Sequence, residues 1–274
     1  MDANFVREKI VKRRKLGKNG PLVSAIGIGA MSFTSFYGPT DEKTSHAILK
    51  LALDNDIDHI DTANVYGMGL SESVIGNFLA SQGKQKQDLF TIASKASITK
   101  DSESGSRIFD NSREHLEKEL NGTLTRLGLD HIEMFYIHRL DTNFSIEEVT
   151  NTLCEFVKMG KISRFGFSEI SPASLFRASK VHEVAAVQSE YSLSVRSPEL
   201  GLVQATRELG TSLVAFSPVG RGLLTDSPPN LAKVDKINFL KQNPRFQEPN
   251  LSANNLIVEK LRSFSQEKDV STAA

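Results

Sequence analysis

The chain alternates short apolar runs, typical of β-strands, with amphipathic runs, typical of α-helices. Seven strand-like runs recur along the 274 residues, at positions 25–31, 57–60, 89–95, 132–138, 162–167, 185–188 and 212–216. Helix-like runs separate them, and the longest, over residues 113–127, ends at Gly128 in the usual stop position. Alternation of this kind favours parallel strands with helices outside the sheet. The pattern therefore predicts an α/β fold, a (β/α)8 barrel built as one domain over residues 1–274.

Segments outside the repeats complete the predicted fold. In residues 15–24 the turn sequence Lys18-Asn19-Gly20-Pro21 lies between two short strand-like runs. This pattern predicts a β-hairpin that caps one end of the barrel. Residues 217–249 are rich in Gly, Pro and Asn and too long for an ordinary connection, so we expect them to be functional. A helix is predicted over residues 254–266. We find no eighth strand before Ala274 and expect the last βα unit of the barrel to be missing.

A doubly wound open sheet is the main alternative to the barrel. Folds of that kind bind dinucleotides at a Gly-x-Gly-x-x-Gly turn after the first strand. The corresponding run here, Gly27-Ile28-Gly29-Ala30-Met31-Ser32, lacks the third glycine. Its alternating glycines still allow a ligand to approach the backbone closely. We therefore favour the barrel and keep Gly29 and Met31 as candidate cofactor contacts.

Composition excludes several classes of protein. Apolar residues make up 39% of the chain and the formal net charge is +0, so a sizeable core is possible but no basic field attracts nucleic acid or an anionic membrane. The basic run at residues 12–15 is interpreted as a solvated edge. No apolar run is long enough to span a membrane, and residues 1–8 lack the apolar core of a signal peptide. The single cysteine, Cys154, suits a reducing compartment, and we predict a cytosolic protein.

Ionisable side chains stand at the exits of three consecutive strand-like runs. Asp61 and Tyr66 follow the second run, Lys95 ends the third, and His138 ends the fourth. In βα-repeat proteins the strand exits meet at one mouth of the barrel, where the chemistry takes place. Taken singly, Asp61 is interpreted as a turn cap and Tyr66 as a half-buried loop aromatic. Four such groups at successive exits predict a catalytic site.

The four groups suit protonation of a carbonyl oxygen. A phenol is a weak acid at its ordinary pKa of about 10, and a nearby ammonium lowers that pKa by favouring phenolate. We assign Lys95 as this ammonium, Asp61 as the carboxylate that holds it, and His138 as the donor that orients the carbonyl. Because none of these groups carries a hydride, a nicotinamide cofactor is required. No metal site is predicted, since the other histidines share no metal-ligand spacing: His46, His59, His115, His131 and His182.

With these positions in place, the sequence resembles the aldo-keto reductases from about Leu16 to its last residue. Six motifs occur in the order found in that family. They are Asp61-Thr-Ala-x-x-Tyr66-Gly, Ser94-Lys95, Ile137-His138-Arg139, Gly166-Phe-Ser168, Gln188-x-x-Tyr191-Ser192 and Phe216-Ser217-Pro218-x-Gly220-x-Gly222-Leu223-Leu224. The resemblance implies NADPH-dependent reduction of an aldehyde or ketone to an alcohol, with Tyr66 as the general acid.

The resemblance also implies a set of cofactor contacts. Ser168 and Gln188 would hold the nicotinamide amide, Phe216 would stack on the ring, and the backbone of residues 217–223 would cradle the pyrophosphate. Glycines fit such a cradle because main-chain N–H groups must approach the phosphates closely. The full set of candidates is Gly29, Met31, Asp61, Ser168, Glu169, Gln188, Phe216, Ser217, Pro218, Val219, Gly220, Gly222 and Leu223.

Two features depart from the family pattern. Glu169 stands where many members carry asparagine, a form similar to a subgroup that includes pyridoxal-reductase-like proteins. The family's eighth strand and the positions after it, which grip the 2′-phosphate of NADPH, have no counterpart before Ala274. A cofactor-binding regulatory or inactive barrel is therefore the alternative function. We expect the loops at residues 34–37, 99–110 and 225–249 to determine the carbonyl substrate.

Overall fold

The computed structural model describes residues 11–83, 88–101 and 103–274. Residues 1–8, over which no signal peptide is predicted, lie outside this described part of the chain. The strands are β1 (Arg13–Lys15), β2 (Leu22–Ser24), β3 (Ile28–Gly29), β4 (His59–Asp61), β5 (Thr91–Ala96), β6 (Ile98–Lys100), β7 (Arg107–Phe109), β8 (Ile132–Ile137), β9 (Ile162–Ser168), β10 (Ala186–Glu190) and β11 (Ser212–Phe216).

One seven-stranded sheet forms the centre of the fold. Its strands lie in the order β3, β4, β5, β8, β9, β10, β11, and every neighbouring pair is parallel. The order in the sheet therefore follows the order in the chain. A doubly wound sheet reverses its strand order part-way, so this topology excludes the alternative fold.

The sheet curls as a barrel wall does. Neighbouring strands lie about 4.8 Å apart, so β4 and β10, four strands from each other, would be separated by about 19 Å in a flat sheet. Yet the side-chain Nε2 of Gln188 on β10 donates to Oδ2 of Asp61 on β4 at 2.7 Å. Such a contact requires both strands to turn these side chains into a common interior. The predicted α/β barrel architecture is confirmed.

Helices cover the outer face of the sheet, and their ends follow from local capping. α3 begins after Ser112, whose hydroxyl accepts from the N–H of His115, and ends at Gly128 with φ 65°. α4 begins at a capping box formed by Ser145 and Glu148. The helices are α1 (Glu42–Leu53), α2 (Leu70–Ser81), α3 (Arg113–Leu127), α4 (Ile146–Lys158), α5 (Pro172–Val181), α6 (Leu202–Leu209), α7 (Leu231–Val234), α8 (Asn238–Lys241) and α9 (Asn250–Glu267).

The main core lies between the sheet and these helices. Leu116 of α3, Phe156 of α4 and Leu175 of α5 are fully buried in it, beside Phe135 of β8. Cys154 packs half-buried against the same core. In the described ranges, no helix is both long and apolar enough to cross a membrane.

The antiparallel pair β1 and β2 closes the end of the barrel where the parallel strands begin. Leu16 and Val23 from this hairpin are buried against Met134 and Tyr136, whose side chains fill the barrel interior. The hydroxyl of Ser212, at the start of β11, donates to the carbonyl of Lys15 at 2.8 Å. The hairpin predicted from the sequence is confirmed as an end cap.

Two segments differ from the sequence prediction. Residues 99–110, predicted as a loop, contain most of the hairpin of β6 and β7, because the carboxylate of Asp101 accepts from the N–H of Ser104 at 2.7 Å and holds the turn. The first parallel strand, predicted over residues 25–31, is limited to β3. After β3 the chain enters a 3-10 helix (Ala30–Thr34) that carries two apolar side chains into the core.

The segment after β11 builds a second, smaller core. Leu223, Leu240, Phe246 and Val258 are buried together there, separately from the main core. Phe239 of α8 packs against this second core and also contacts Phe36, with ring centroids 4.5 Å apart. The segment thereby reaches from the β11 edge of the sheet to the loop that follows β3.

Candidate active site

Backbone hydrogen bonds that continue past the strand ends bring the predicted catalytic residues together. The N–H of Thr62 donates to the carbonyl of Ala93 at 2.9 Å, and the N–H of His138 donates to the carbonyl of Ala96 at 2.8 Å. Parallel pairing also sets Asp61 beside Ala93, two residues before Lys95. Three neighbouring strands therefore deliver Asp61, Lys95 and His138 at the same height.

Lys95 is the buried centre of the site. Its side chain is fully inaccessible to solvent, and its ammonium forms an ion pair with the carboxylate of Asp61. The same Nζ donates to the carbonyl oxygen of Thr62 at 2.8 Å and to Oη of Tyr66 at 3.3 Å. Burial alone would lower the pKa of Lys95, but Asp61 and Tyr66 outweigh it and raise that pKa, so the side chain stays charged.

Tyr66 and His138 face each other across the mouth, with ring centroids 5.9 Å apart and planes at 81°. Burial raises the pKa of Tyr66 and the charge of Lys95 lowers it, with a net rise above the ordinary value. The sequence prediction considered only the effect of the ammonium and missed the larger effect of burial. The phenol is thus fully protonated at neutral pH.

His138 is a neutral imidazole. Burial, followed by the positive charges of Lys95, Arg139 and Arg107, holds the pKa of His138 well below its ordinary value. Its Nδ1 is buried and has no hydrogen-bond partner among the described residues. A neutral ring of this kind can orient a bound polar group without adding charge to the site.

Asp61, Tyr66 and His138 line one cavity of about 800 Å³, within the usual range for small-molecule sites, and Lys95 is buried against the first two. The cavity opens at the ends of the parallel strands, as expected for a barrel enzyme. Predicted residues that line it are Gly29, Met31, Asp61, Tyr66, His138, Ser168, Gln188, Phe216 and Ser217. These nine predicted residues therefore surround one cavity, and their individual roles stay predictions.

Residues 25–274 match the model of the aldo/keto reductase family. The chain belongs to this family. Aldo-keto reductase yakc of Schizosaccharomyces pombe, whose name specifies NADP(+), is 33% identical over 263 residues, which cover 95% of this chain and 76% of that protein. A probable aldo-keto reductase 1 of Glycine max is 34% identical over 260 residues, 94% of this chain and 74% of that protein.

One solved structure agrees with this assignment, and a second shares the fold. An aldo-keto reductase, AKR11C1, from Bacillus halodurans superposes with a TM-score of 0.71 at 28% identity, covering 81% of this chain and 71% of that one. A glycerol dehydrogenase, AKR11B4, from Gluconobacter oxydans has a TM-score of 0.80 at 23% identity, covering 96% and 80%. The second likeness concerns the fold alone.

Two candidate cofactor contacts of this aldo-keto reductase are engaged by neighbouring side chains. Nε2 of Gln188 donates to Asp61, and Nη1 of Arg139 donates to Oγ of Ser168 at 3.0 Å. Sequence reasoning assigned no role to Arg139, although its place directly after His138 at a strand exit was a usable signal. Arg139 links the exits of β8 and β9 at the edge of the site.

Glu169, another candidate cofactor contact, is held by the neighbouring strand. Its backbone has φ 57°, and its carboxylate accepts from the N–H of Glu190 at 2.7 Å and from the hydroxyl of Ser189 at 3.1 Å. These contacts tie the end of β9 to β10. The carboxylate is directed to the neighbouring strand, and its assignment as a cofactor contact stays a prediction.

The glycine-rich segment after β11 is a series of tight turns. The N–H of Gly220 donates to Ser217, that of Gly222 to Val219, and that of Leu223 back to Gly220. Pro218 lies within the first of these turns, and Leu223 is buried in the second core. Since three amide groups are already used within the segment, the predicted phosphate cradle stays a prediction.

Arg221, on the same segment, lines the cavity. Its Nη1 donates to Oη of Tyr37 at 3.0 Å, and its guanidinium lies 4.6 Å from the ring centroid of Phe239. We call Tyr37, Arg221 and Phe239 the rim clamp. Nothing periodic in the sequence marks these three as neighbours, because they come from three distant parts of the chain.

Proposed function

We propose that the protein reduces an aldehyde or ketone to an alcohol with NADPH, and that Tyr66 is the general acid. The observation that carries this proposal is the buried contact of the Lys95 ammonium with both Asp61 and Oη of Tyr66. Tyr37 is a second phenol at the cavity and receives a hydrogen bond from Arg221, but the cation beside Tyr66 is the fully buried one.

The chemistry follows from the charge states of these groups. NADPH, when bound, would supply a hydride for the carbonyl carbon. As negative charge develops on the carbonyl oxygen, Tyr66 transfers its proton there, and the new phenolate is stabilised by the ammonium of Lys95 at 3.3 Å. Neutral His138 orients the carbonyl oxygen by a hydrogen bond. Asp61 keeps Lys95 charged throughout.

Several features of the cavity support binding of a nicotinamide ring. Phe216 provides an aromatic wall, and polar side chains come from Ser168, at the end of β9, and from Gln188, paired with it on β10. At Gly29 an added Cβ would meet no atom within 4 Å, so the wall there is open. Arg221, on the segment that follows Phe216 in the chain, lines the same cavity.

The test separates binding from turnover. NADPH binding is followed by fluorescence titration, and turnover by consumption of NADPH with a panel of aldehydes. We expect wild-type protein to do both, and Tyr66→Phe to lose about 100- to 10,000-fold in kcat with an unchanged Kd for NADPH. Tyr37→Phe, which removes another cavity phenol, is the matched control and should leave kcat within about threefold.

Each other outcome has a definite meaning. Binding of NADPH without turnover of any aldehyde would support the alternative of a regulatory or inactive barrel. Failure to bind NADPH at high micromolar concentration would reject the enzyme for this chain. Full activity of Tyr66→Phe would show that the acid assignment is wrong.

A further inference from the structure

The hairpin of β6 and β7 carries two cations to the edge of the cavity. Lys100 and Arg107 stand directly opposite each other in its antiparallel register. Both are exposed and both line the cavity. Within the described part of the chain, neither lies at ion-pair distance from a carboxylate.

The other arginines at the cavity are already committed. Arg126 forms an ion pair with the fully buried Glu72 at 2.6 Å. Arg139 donates to Ser168, and Arg221 belongs to the rim clamp. Positive charge available to a ligand is therefore concentrated on the β6–β7 hairpin.

Like charges directly opposite in an antiparallel pair destabilise the pair. The acidic residue beside this pair does not relieve it, because the carboxylate of Asp101 is held by Ser104 in the turn. An anion lying between Lys100 and Arg107 would remove the repulsion and gain charge-assisted hydrogen bonds from both. The arrangement suits a ligand with a terminal negative group.

The hairpin lies close enough to the catalytic centre for one small substrate to reach both. The charge of Arg107 acts on His138 and on Arg139, lowering the pKa of each after the larger effect of burial. His138 in turn faces Tyr66 across the mouth. Ile98 lines the wall on the same hairpin and offers apolar contact to the middle of such a substrate.

We propose that Lys100 and Arg107 form an anion subsite, and that the preferred substrates are carbonyl compounds with a carboxylate or phosphate at the end remote from the carbonyl. This inference rests on the proposed carbonyl reduction and names its substrate class. The two cations flank the cavity mouth, Tyr66 and His138 receive the carbonyl, and the substrate spans the space between them.

The experiment compares substrates that differ in charge but little in shape. 4-Carboxybenzaldehyde and 4-formylphenyl phosphate are the anionic probes, and methyl 4-formylbenzoate is the neutral one. We expect wild-type kcat/KM to favour at least one anionic probe over the ester by about tenfold or more, the difference between the two anions identifying carboxylate or phosphate. Arg107→Gln and Lys100→Gln should each bring this ratio towards one, mainly through KM.

A matched control is available on the capping hairpin. Arg14→Gln removes an exposed arginine from β1, at the opposite end of the barrel, and should leave the ratio at its wild-type value. A wild-type ratio near one would overturn the proposal. A second result would also overturn it: Arg107→Gln binds NADPH more weakly and loses kcat/KM equally with all three aldehydes. That result would assign the cations to a phosphate of the cofactor.

The two proposals fail in different ways. If no aldehyde is reduced, carbonyl reduction is rejected. The subsite is then tested by titration calorimetry, which compares the affinities of two anions with that of a neutral ester. The anions are 4-(hydroxymethyl)benzoate and 4-(phosphonooxy)benzyl alcohol, and the ester is the methyl ester of 4-(hydroxymethyl)benzoic acid. Tighter binding of one of the anions, lost in Arg107→Gln and kept in Arg14→Gln, would support the subsite. Equal affinity for all three compounds would overturn it.

Discussion

At the residue scale, the site depends on a charge that solvent does not reach. The ammonium of Lys95 is balanced by Asp61, which is itself held by Gln188. Removing one member of a buried ion pair leaves the other uncompensated, at a cost of about 3–5 kcal/mol. We therefore expect Asp61→Asn to lower the free energy of unfolding by about that amount, measured by urea denaturation.

A double variant tests whether charge imbalance is the cause. Asp61→Asn combined with Lys95→Met removes both charges and should be more stable than Asp61→Asn alone by at least about 1 kcal/mol. If the double variant is no more stable than the single one, lost packing or hydrogen bonds explain the effect and the charge argument is wrong.

His138 links stability to pH. Its pKa lies well below the ordinary 6.5 in the folded protein, chiefly through burial. Below about pH 6.5 the unfolded chain binds a proton that the folded chain resists, so stability is full above that pH and falls as the pH decreases towards the folded pKa. One such group changes the free energy of unfolding by at most about 1.4 kcal/mol per pH unit.

His138→Gln should remove this dependence. Between pH 7.5 and 5.5 we expect wild-type protein to lose about 1 kcal/mol more than the variant, by urea denaturation at each pH. The pKa of His59 is also lowered by burial, but that residue is present in both proteins and cancels in the comparison. Equal losses in the two proteins would contradict a neutral, buried His138.

The sequence predicted which residues meet at the strand ends, because that depends on strand position. It did not predict properties that depend on burial. Asp61, Lys95 and His138 end successive strands, and parallel pairing alone brings them together. The net rise in the pKa of Tyr66 depends on how completely other segments cover the phenol. Lys100 and Arg107 were missed because they lie in a polar, Ser-rich stretch that reads as a loop.

At the element scale, the contact between α2 and α3 rests on a glycine. A Cβ added at Gly76 in α2 would lie 2.1 Å from the backbone oxygen of Arg126 in α3. Alanine inside a helix normally gains about 1 kcal/mol over glycine. The backbone oxygen of Arg126 cannot move without moving α3, so the cost of overpacking outweighs the gain in helix propensity.

Gly76→Ala should therefore lower the free energy of unfolding by about 2 kcal/mol, measured by urea denaturation. Gly122→Ala is the matched control, because its Cβ would meet only the terminal guanidinium atoms of Arg126, the nearest at 2.9 Å. The nearest of these atoms lies beyond the Nε that pairs with Glu72 and is the end of a flexible side chain, so the control should stay within about 1 kcal/mol of wild type. Equal effects of the two substitutions would show that close approach of the helices is not the cause.

Helices were predicted more accurately than the segments that join distant parts of the chain. α3 has the predicted bounds, residues 113–127, because Ser112 and Gly128 give local start and stop signals, and Ser145 gives α4 a start signal of the same local kind. The β6–β7 hairpin was missed, since its turn depends on the side chain of Asp101 and not on an Asn-Gly or Asp-Gly pair. Helix ends that depend on nearby capping residues could be predicted from the sequence. A turn that depends on the geometry of one side chain could not.

At the scale of the whole molecule, the two edges of the curled sheet are joined by side chains. β3 and β11 are not paired with each other in the described sheet. The rim clamp spans the gap, since Tyr37 follows β3 whereas Arg221 and Phe239 follow β11. This bridge also connects the second core to the rest of the protein, and it borders the cavity.

Phe239 is the member of the clamp that contacts the other two and also Phe36. Replacing it with alanine should free the segment after β11 while leaving the main core intact. We expect Phe239→Ala to raise hydrogen-exchange rates about tenfold for amides in residues 220–241, with no change in β8 and β9, measured by mass spectrometry. Phe264→Ala removes a phenylalanine that is 56% exposed on α9 and serves as the control.

An equal increase across β8 and β9 would mean that the two cores unfold as one unit. No increase in residues 220–241 would mean that the second core is held by its own packing and that the clamp only borders the cavity.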